Sequence, residues 1–483
     1  MIWVQLAVVL GAILLGARVG GVGLGTMASL GLLVLIFVFG LPPSSPPGAV
    51  LAIVVAVVTA AATLEAAGGM ELLVRIADRT LRAHPRYITI IAPLVAYLFT
   101  FCTGTGHVAY SILPVIAEVS RKAGIRPERP LSISVIASQQ AITASPLAAA
   151  TAAMLAILEP QQVTLARILV ICIPATLTGV ILGAFSVWWK GPELAEDPEY
   201  QRRLASGEVE SANQEPAPKN SLNPRAPLAV VIFLAAAMLI VACGIFPSLR
   251  PLHSAPQPIV SIEKLDAAIH ERAADAQRGG VVTQAEARKI FLNLAAGEKN
   301  EATESLPMNT VIQVVMYGAA ALMMLFCGAK PDVAAKTKVA SAGVVAVVSI
   351  LGLGWLGNCF FEANKETILT TLSGTVQEHP WMFAGALFAL SILLFSQAST
   401  VTALMPVGVA LGLPVATLIA YFPAVNGYFF LPTYGTIVAA VAFDRTGTTT
   451  IGSFVLNHSF MRPGLVATVG AVVSGMLIAR VVF

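Results

Sequence analysis

The stretch YITIIAPLVAYLFTFCTGTGH, Tyr87 to His107, decides how the chain is read. Fifteen apolar-rich positions fit a membrane helix, and then two glycines, two threonines and an imidazole stand where hydrocarbon demands apolar side chains. The apolar pieces 88 to 102 and 107 to 119 run for roughly 13 to 16 residues, about 20 to 24 Å as helix, short of a hydrocarbon core of about 30 Å. Two short helices joined through Gly104-Thr105-Gly106-His107 read as a re-entrant hairpin over about 88–122. Arg75, Arg79, Arg82 and Arg86 precede it, and Arg121, Lys122, Arg126 and Arg129 follow. By the positive-inside rule both of its mouths are cytoplasmic, so the segment has not crossed.

Working outward, the 483 residues are 57% hydrophobic and 11% charged, with mean hydropathy +0.81, which marks a polytopic, all-α membrane protein. The short alternating segments of a barrel are missing. A net charge of +3 without a basic cluster excludes a nucleic-acid partner; the lipid bilayer is the partner implied. The first apolar run lacks a basic leader and a cleavage site, so it reads as a span. The five cysteines show no C-x-x-C spacing and read as buried thiols.

Apolar runs fall at about 2–17, 19–41, 48–69, 88–102, 107–119, 131–158, 165–189, 227–246, 308–328, 339–361, 380–395, 400–412, 413–443 and 463–483. A second short pair, about 380–412, turns at Ser396-Gln397-Ala398-Ser399-Thr400. Its flanks, FEANKETILTTLSGTVQEHP and LGLP, carry only Lys365 as a basic residue, so this hairpin opens externally. Counting from an external N-terminus, residues 1–189 hold three spans, a hairpin and two spans. A cytoplasmic, partly disordered linker follows at 190–226, and 227–483 repeats the set, ending outside. GTGHVAYSILP can be laid on SQASTVTALMP so that Pro114 meets Pro406. The halves are then inverted-topology repeats, the arrangement of secondary transporters. An external insertion at about 247–306 has the apolar spacing of one or two short helices.

Helix breaks are expected within 131–158, at Thr143-Ala144-Ser145-Pro146, and within 413–443, from Asn426-Gly427 to Pro432-Thr433-Tyr434. A break in a membrane helix is costly unless its freed backbone groups face protein, water or a ligand, so the two tips and two breaks together point to a binding site. Half-helix N-termini direct N–H groups at an anion, and hydroxyls and amides complete the hydrogen bonds without Lys or Arg. Unwound carbonyls, with Gly104, Ser145 and Ala398 as candidates, suit a sodium ion; Na+ or H+ is the coupling ion considered, and no other cofactor is implied. His107 reads as a tip or substrate contact rather than a proton carrier. Glu65 and Asn358 read as interior or interface residues, and Glu118 as a solvated residue at the cytoplasmic mouth.

Several motifs in one order carry a family resemblance: GARVGGVGLGTMASLGLLVL, HPRYITIIAPLVAYLFTFCTGTGH, LPVIAEVSRKAGIRPERPLSISVIASQQAITASPLAAA, HPWMFAGALFALSILLFSQAST, FFLPTYGTIVAAVAFDRTGTTTIG and NHSF. Together they resemble the Dcu family of anaerobic four-carbon dicarboxylate transporters over nearly the whole chain except about 247–306. The resemblance implies a bacterial inner-membrane carrier of fumarate, malate, aspartate and succinate, working by exchange or cation-coupled uptake. It also implies an elevator-type homodimer, and a role beside a sensor kinase is compatible with transport. The family's tip and break positions fall on Thr105, Gly106, His107, Thr143, Ser145, Ser396, Gln397, Ser399, Thr400, Pro432 and Thr433, to which the reading of the breaks adds Asn426. The family commonly has Asn at the His107 position, Asp at Asn358, Pro at Gly435, and DDTGTTRIG where this chain has FDRTGTTTIG. The alternatives are a carrier of another small organic anion, a channel, or an intramembrane enzyme. The last lacks paired carboxylates and an H-E-x-x-H motif, so a non-enzyme is expected.

Overall fold

The computed structural model describes all residues except Gly20, 210–222, 259–298, Phe395, Thr433 and 452–456. Apolar runs become helices, and the polar interruptions become their ends. Helices α1 (Ile2–Val19), α2 (Gly23–Phe37) and α3 (Gly48–Ala66) come first. Gly68, at φ +78°, then turns the chain by 71° into α4 (Gly69–Ala83). α4 is amphipathic, with Arg75 on Glu71 and Arg82 on Asp78 at 2.7 Å. Its charges keep it out of the apolar runs, so in the sequence it stands only as a basic flank.

α5 (Ile88–Thr103) ends at Gly104, whose φ of +71° is a left-handed cap that glycine adopts without steric cost. A single 3-10 turn, Gly106–Val108, leads into α6 (Ala109–Lys122). With the preceding 3-10 turn at Pro85, the first limb is 19 residues, enough by length and composition to cross a membrane. The chain nevertheless comes back: Glu118 near the end of α6 meets Arg82, ahead of α5, at 3.3 Å. Glu118 also pairs with Lys122 at 2.8 Å.

α7 (Glu128–Gln140) and α8 (Ala149–Leu158) are the two parts of one apolar run, separated by a 3-10 turn and extended backbone. α9 (Leu165–Val187) follows. The first part of the linker is folded. Asp197 caps α10 (Pro198–Ala205) by accepting from the Glu199 and Tyr200 N–H groups at 3.0 Å, and residues 210–222 lie outside the description. Fixed charges hold this segment down, because Arg126 bonds Asp197, Arg129 meets Glu193 at 3.0 Å and Lys190 meets Glu128 at 2.7 Å.

The later helices are α11 (Ala226–Ile245), α12 (Met308–Cys327), α13 (Lys338–Glu378), α14 (Trp381–Leu394), α15 (Gln397–Ala410), α16 (Val415–Tyr421), α17 (Gly435–Phe443) and α18 (Met461–Val482). At 41 residues α13 is about 60 Å long, so the polar stretch 362–378 continues the helix rather than forming a loop. Glu65 accepts the Val339 N–H at 3.1 Å and so satisfies one orphan donor in its first turn. Six helices are long and apolar enough to span, or seven if the bent pair α3–α4 counts as one, among the described residues. The chain is an integral membrane protein.

Residues 246–311 form a compact unit of their own. There a short strand pair is added to the helical fold: β1 (Leu252–Pro258) pairs antiparallel with β2 (Lys299–Ser305), Leu252 opposite Ser305. Pro256 and Pro258 donate no N–H, so LHSAPQP did not read as a strand. The helices expected in the insertion fall on 259–298, outside the described residues.

In the rest of the chain, one buried apolar cluster joins α5, α6, α7, α9, α17 and α18, through residues such as Ile112, Ile133, Phe429 and Phe460. Another joins α1, α2 and α13, through Leu35, Ala28 and Leu356. The crossing of α9 and α18 is made by small residues: a Cβ on Gly179 would lie 2.3 Å from the Ala467 carbonyl oxygen. Four cysteines are buried, whereas Cys102, beside the first tip, is only half-buried.

Candidate functional site

A cavity of about 420 Å³, within the usual ~300–1,000 Å³ of small-molecule sites, lies where the breaks meet. Gly104, Thr105 and Gly106 bring the first tip to it, and Ser396, Gln397 and Ala398 the second. Ile142 and Ala149 come from the first helix break, Tyr434 and Gly435 from the second. Gly21, Leu24, Ala342, Val345, Ala346 and Ser349 on or beside α2 and α13 close the other side. No Lys or Arg lines it among the described residues.

Four short helices therefore begin at one space. The chain enters α6 at Gly106, α8 at Ala149, α15 at Gln397 and α17 at Gly435, all of which line the cavity. Each N-terminus carries N–H groups without intrahelical partners and the positive end of a helix dipole, so together they favour negative charge. Ser396 Oγ occupies one such donor, the Ser399 N–H, at 3.2 Å, and also donates to Ser399 Oγ at 2.9 Å. A larger space of about 530 Å³, between α1, α13 and the second hairpin, is walled mainly by side chains such as Trp3, Phe360 and Leu404 and offers a carboxylate little.

Behind the cavity, buried side chains link the elements. Gln397 Nε2 donates to Gln139 Oε1 at 2.9 Å and to Asn426 Oδ1 at 3.2 Å. Asn426 Nδ2 donates to Gln140 Oε1 at 3.2 Å and to the Pro423 carbonyl at 3.1 Å, and Gln140 Nε2 reaches Thr468 Oγ1 at 3.0 Å. The second tip, both breaks and α18 are thus one hydrogen-bonded set. Thr100 and Ser138 share a bond at 2.7 Å.

Of the residues singled out in the sequence, Thr105, Gly106, Ser396 and Gln397 line the cavity. Asn426 stands behind it in the amide set. Ser145 Oγ donates to the Phe101 carbonyl at 2.6 Å, tying the first break to the first tip. Thr143 donates to the Gln140 carbonyl at 2.9 Å and Thr400 to that of Ser396 at 2.8 Å, so both hold backbone. Ser399 is engaged with Ser396, and Pro432 is buried but not in the lining. Thr433 and the His107 side chain lie outside what is described. Among the sodium candidates, Ala398 stands in the first turn of α15, and its carbonyl accepts Thr402 Oγ1 at 3.0 Å within the helix. The Ser145 carbonyl likewise accepts the Ala148 N–H at 3.3 Å, while Gly104 lines the cavity. No cluster of three His, Cys, Asp or Glu is found among the described residues.

Gln139, Gln140 and Ser138 were missed; three consecutive polar side chains, SQQ, just before a break in an apolar run were the available signal. A second missed group lies at the cytoplasmic-reading end. Glu128 meets Arg126, Lys190 and Ser459 at 2.7 Å, and its N–H donates to Thr448 Oγ1 at 3.2 Å. Asp444 accepts from the Thr449 N–H and Oγ1 at 2.7 Å, from Thr448 Oγ1 at 2.8 Å and from the Thr446 N–H at 2.9 Å. The DRTGTT segment is therefore folded around its own aspartate and fastened to the start of α7.

A sequence model described as "Anaerobic c4-dicarboxylate membrane transporter" matches residues 1–483. The chain belongs to this anaerobic C4-dicarboxylate transporter family. It is 36% identical over 483 residues to "C4-dicarboxylate transporter DcuA" of Wolinella succinogenes, covering 100% of both chains. It is 34% identical to "Anaerobic C4-dicarboxylate transporter DcuB" of Escherichia coli O6:H1, covering 99% of this chain and 98% of that one. To "C4-dicarboxylate transporter DcuA" of Escherichia coli K12 it is 36% identical, covering 99% of each. The family membership extends through the 247–306 insertion.

Proposed function

We propose that the chain carries fumarate, malate, aspartate or succinate across the bacterial inner membrane, by exchange or by uptake with Na+ or H+. The observation that carries this reading is the cavity of about 420 Å³ on which both tips, both breaks and four helix N-termini converge. A site of neutral donors and dipole ends holds an anion without a fixed counter-charge that would have to be dragged through the membrane with the substrate-free site.

On this reading residues 1–189 and 227–483 are inverted repeats, with hairpins opening to opposite faces and both termini periplasmic. Supporting it, α6 and α17 both start at the cavity and end near the Glu128 cluster, while α8 and α15 start at the cavity and pack on each other. The block of hairpins, broken helices, α9 and α18 then moves as an elevator against α1–α3 and α11–α13, which also supply a homodimer surface. Thr105, Gly106, His107, Ser396 and Gln397 would touch substrate. Thr143, Ser145, Ser399, Thr400, Asn426, Pro432 and Thr433 would shape the backbone around it. A coupling cation would lie near Gly104, and a sensor-kinase partner would read the loaded state.

The test is counterflow. Liposomes carrying the purified protein and loaded with unlabelled succinate should take up labelled succinate, aspartate or fumarate; no exchange with any of them overturns the assignment. Repeating uptake under imposed Na+ and proton gradients separates exchange from symport.

A further inference from the structure

The amide chain behind the tips has a direction, and the Pro423 carbonyl sets it. A backbone carbonyl can only accept, so Asn426 must turn Nδ2 toward it and Oδ1 toward Gln397. Gln397 must then present Nε2, both of whose hydrogens are used, on Asn426 Oδ1 and Gln139 Oε1. Reversing any one amide would set donor against donor or acceptor against acceptor. Gln139 Nε2 is therefore the free end, turned away from Gln397.

That end is fully buried, and Nε2 has no hydrogen-bond partner among the described residues. A buried donor left unpaired is costly, which marks a group awaiting an acceptor. Nε2 lies against Gly106, a residue lining the cavity: a Cβ built on Gly106 would be 2.2 Å from it. Gly106 is not at positive φ, so its backbone does not demand glycine; the side-chain amide behind it does. Only a residue without a side chain leaves Gln139 a way through the tip.

We propose that Gln139 Nε2 donates to a carboxylate oxygen of the substrate seated at the first hairpin tip, with Gly106 as the window through which it does so. The proposal rests on the dicarboxylate reading above. It makes Gln139 a specificity-determining residue that reaches substrate from α7, and it ties recognition at the first tip to the position of the second through Gln397. The polarity of the whole set, and hence the preference for an acceptor-only ligand group, traces to one proline carbonyl.

The test is succinate counterflow in proteoliposomes with wild type, Gln139→Glu and Gly106→Ala. Gln139→Glu keeps an acceptor for Gln397 but replaces the donor by a carboxylate oxygen. Its KM relative to wild type should rise about tenfold at about pH 8, with kcat little changed, and fall back toward wild type at about pH 6 as the buried carboxyl protonates and can donate. Gly106→Ala keeps the Gln139 side chain but, with its Cβ 2.2 Å from Nε2, pushes that flexible end away from the tip, so it covers the case in which Gln139→Glu does not fold. It should raise KM by a similar factor without pH dependence. An unchanged KM in the folded variants, or a loss of kcat at constant KM, overturns the proposal while wild-type exchange keeps the dicarboxylate reading. Absence of exchange by wild type overturns both.

Discussion

Gln397 makes the point at the scale of a residue. It closes one wall of the cavity with its place in the second tip and holds both helix breaks with its side-chain amide. Gln397→Ala removes two buried hydrogen bonds and strands Gln139 Oε1 and Asn426 Oδ1; exchange should fall by an order of magnitude or more, measured as counterflow rate per folded protein. Asp444 shows the same logic away from the cavity. Each of its carboxylate oxygens accepts from a backbone N–H, Thr446 on one and Thr449 on the other, so Asp444→Asn turns an NH2 toward one of them and should cost about 2 kcal/mol, read as a lower melting temperature in detergent. Single residues were legible where they interrupted an apolar run visibly, as GTGH and SQAST do. Gln139 and Gln140 were passed over because their partners, Gln397, Asn426 and Thr468, lie hundreds of positions away.

At the scale of elements, most apolar runs match their helices to within about four residues at each end, because burial in hydrocarbon leaves the backbone no other way to satisfy itself. The failures have the opposite cause. α4 and the end of α13 carry Arg75, Arg79 and Arg82, or Glu362, Asn364 and Lys365, so hydropathy lost them although they are helical. The order in the first part of the linker has no signal in its own residues: Asp197 and Glu193 find Arg126 and Arg129 only in the folded chain. The α9–α18 crossing yields a prediction of its own. In Gly179→Val the new side chain meets the Ala467 carbonyl 2.3 Å from its Cβ, a backbone atom that cannot swing aside. The variant should lose several kcal/mol and much of its monodisperse yield on size-exclusion chromatography. Gly11→Val, with open space around the Cβ, should not.

For the whole molecule, the claim is that one cavity is bounded on one side by tips and breaks and on the other by α2 and α13, and that these two sides move past each other. In a background cleared of the five native cysteines, Thr105→Cys and Ala346→Cys, which line the same cavity, place one thiol on each side. A short thiol cross-linker should arrest exchange in the double variant and spare each single one. Exchange that survives complete cross-linking would mean the sides need not part. The proposed movement and the proposed dimer come from the family resemblance alone, since both would belong to relations between surfaces rather than to any one run of sequence. The most direct measurement is on the site itself: the rate at which Ala346→Cys alone, in the cysteine-free background, is alkylated by a small maleimide with and without succinate. Succinate should slow the reaction in a saturable way, and butyrate, with one carboxylate fewer, should not. Equal rates with and without succinate, in protein that exchanges it, would contradict the placement of the substrate between the tips.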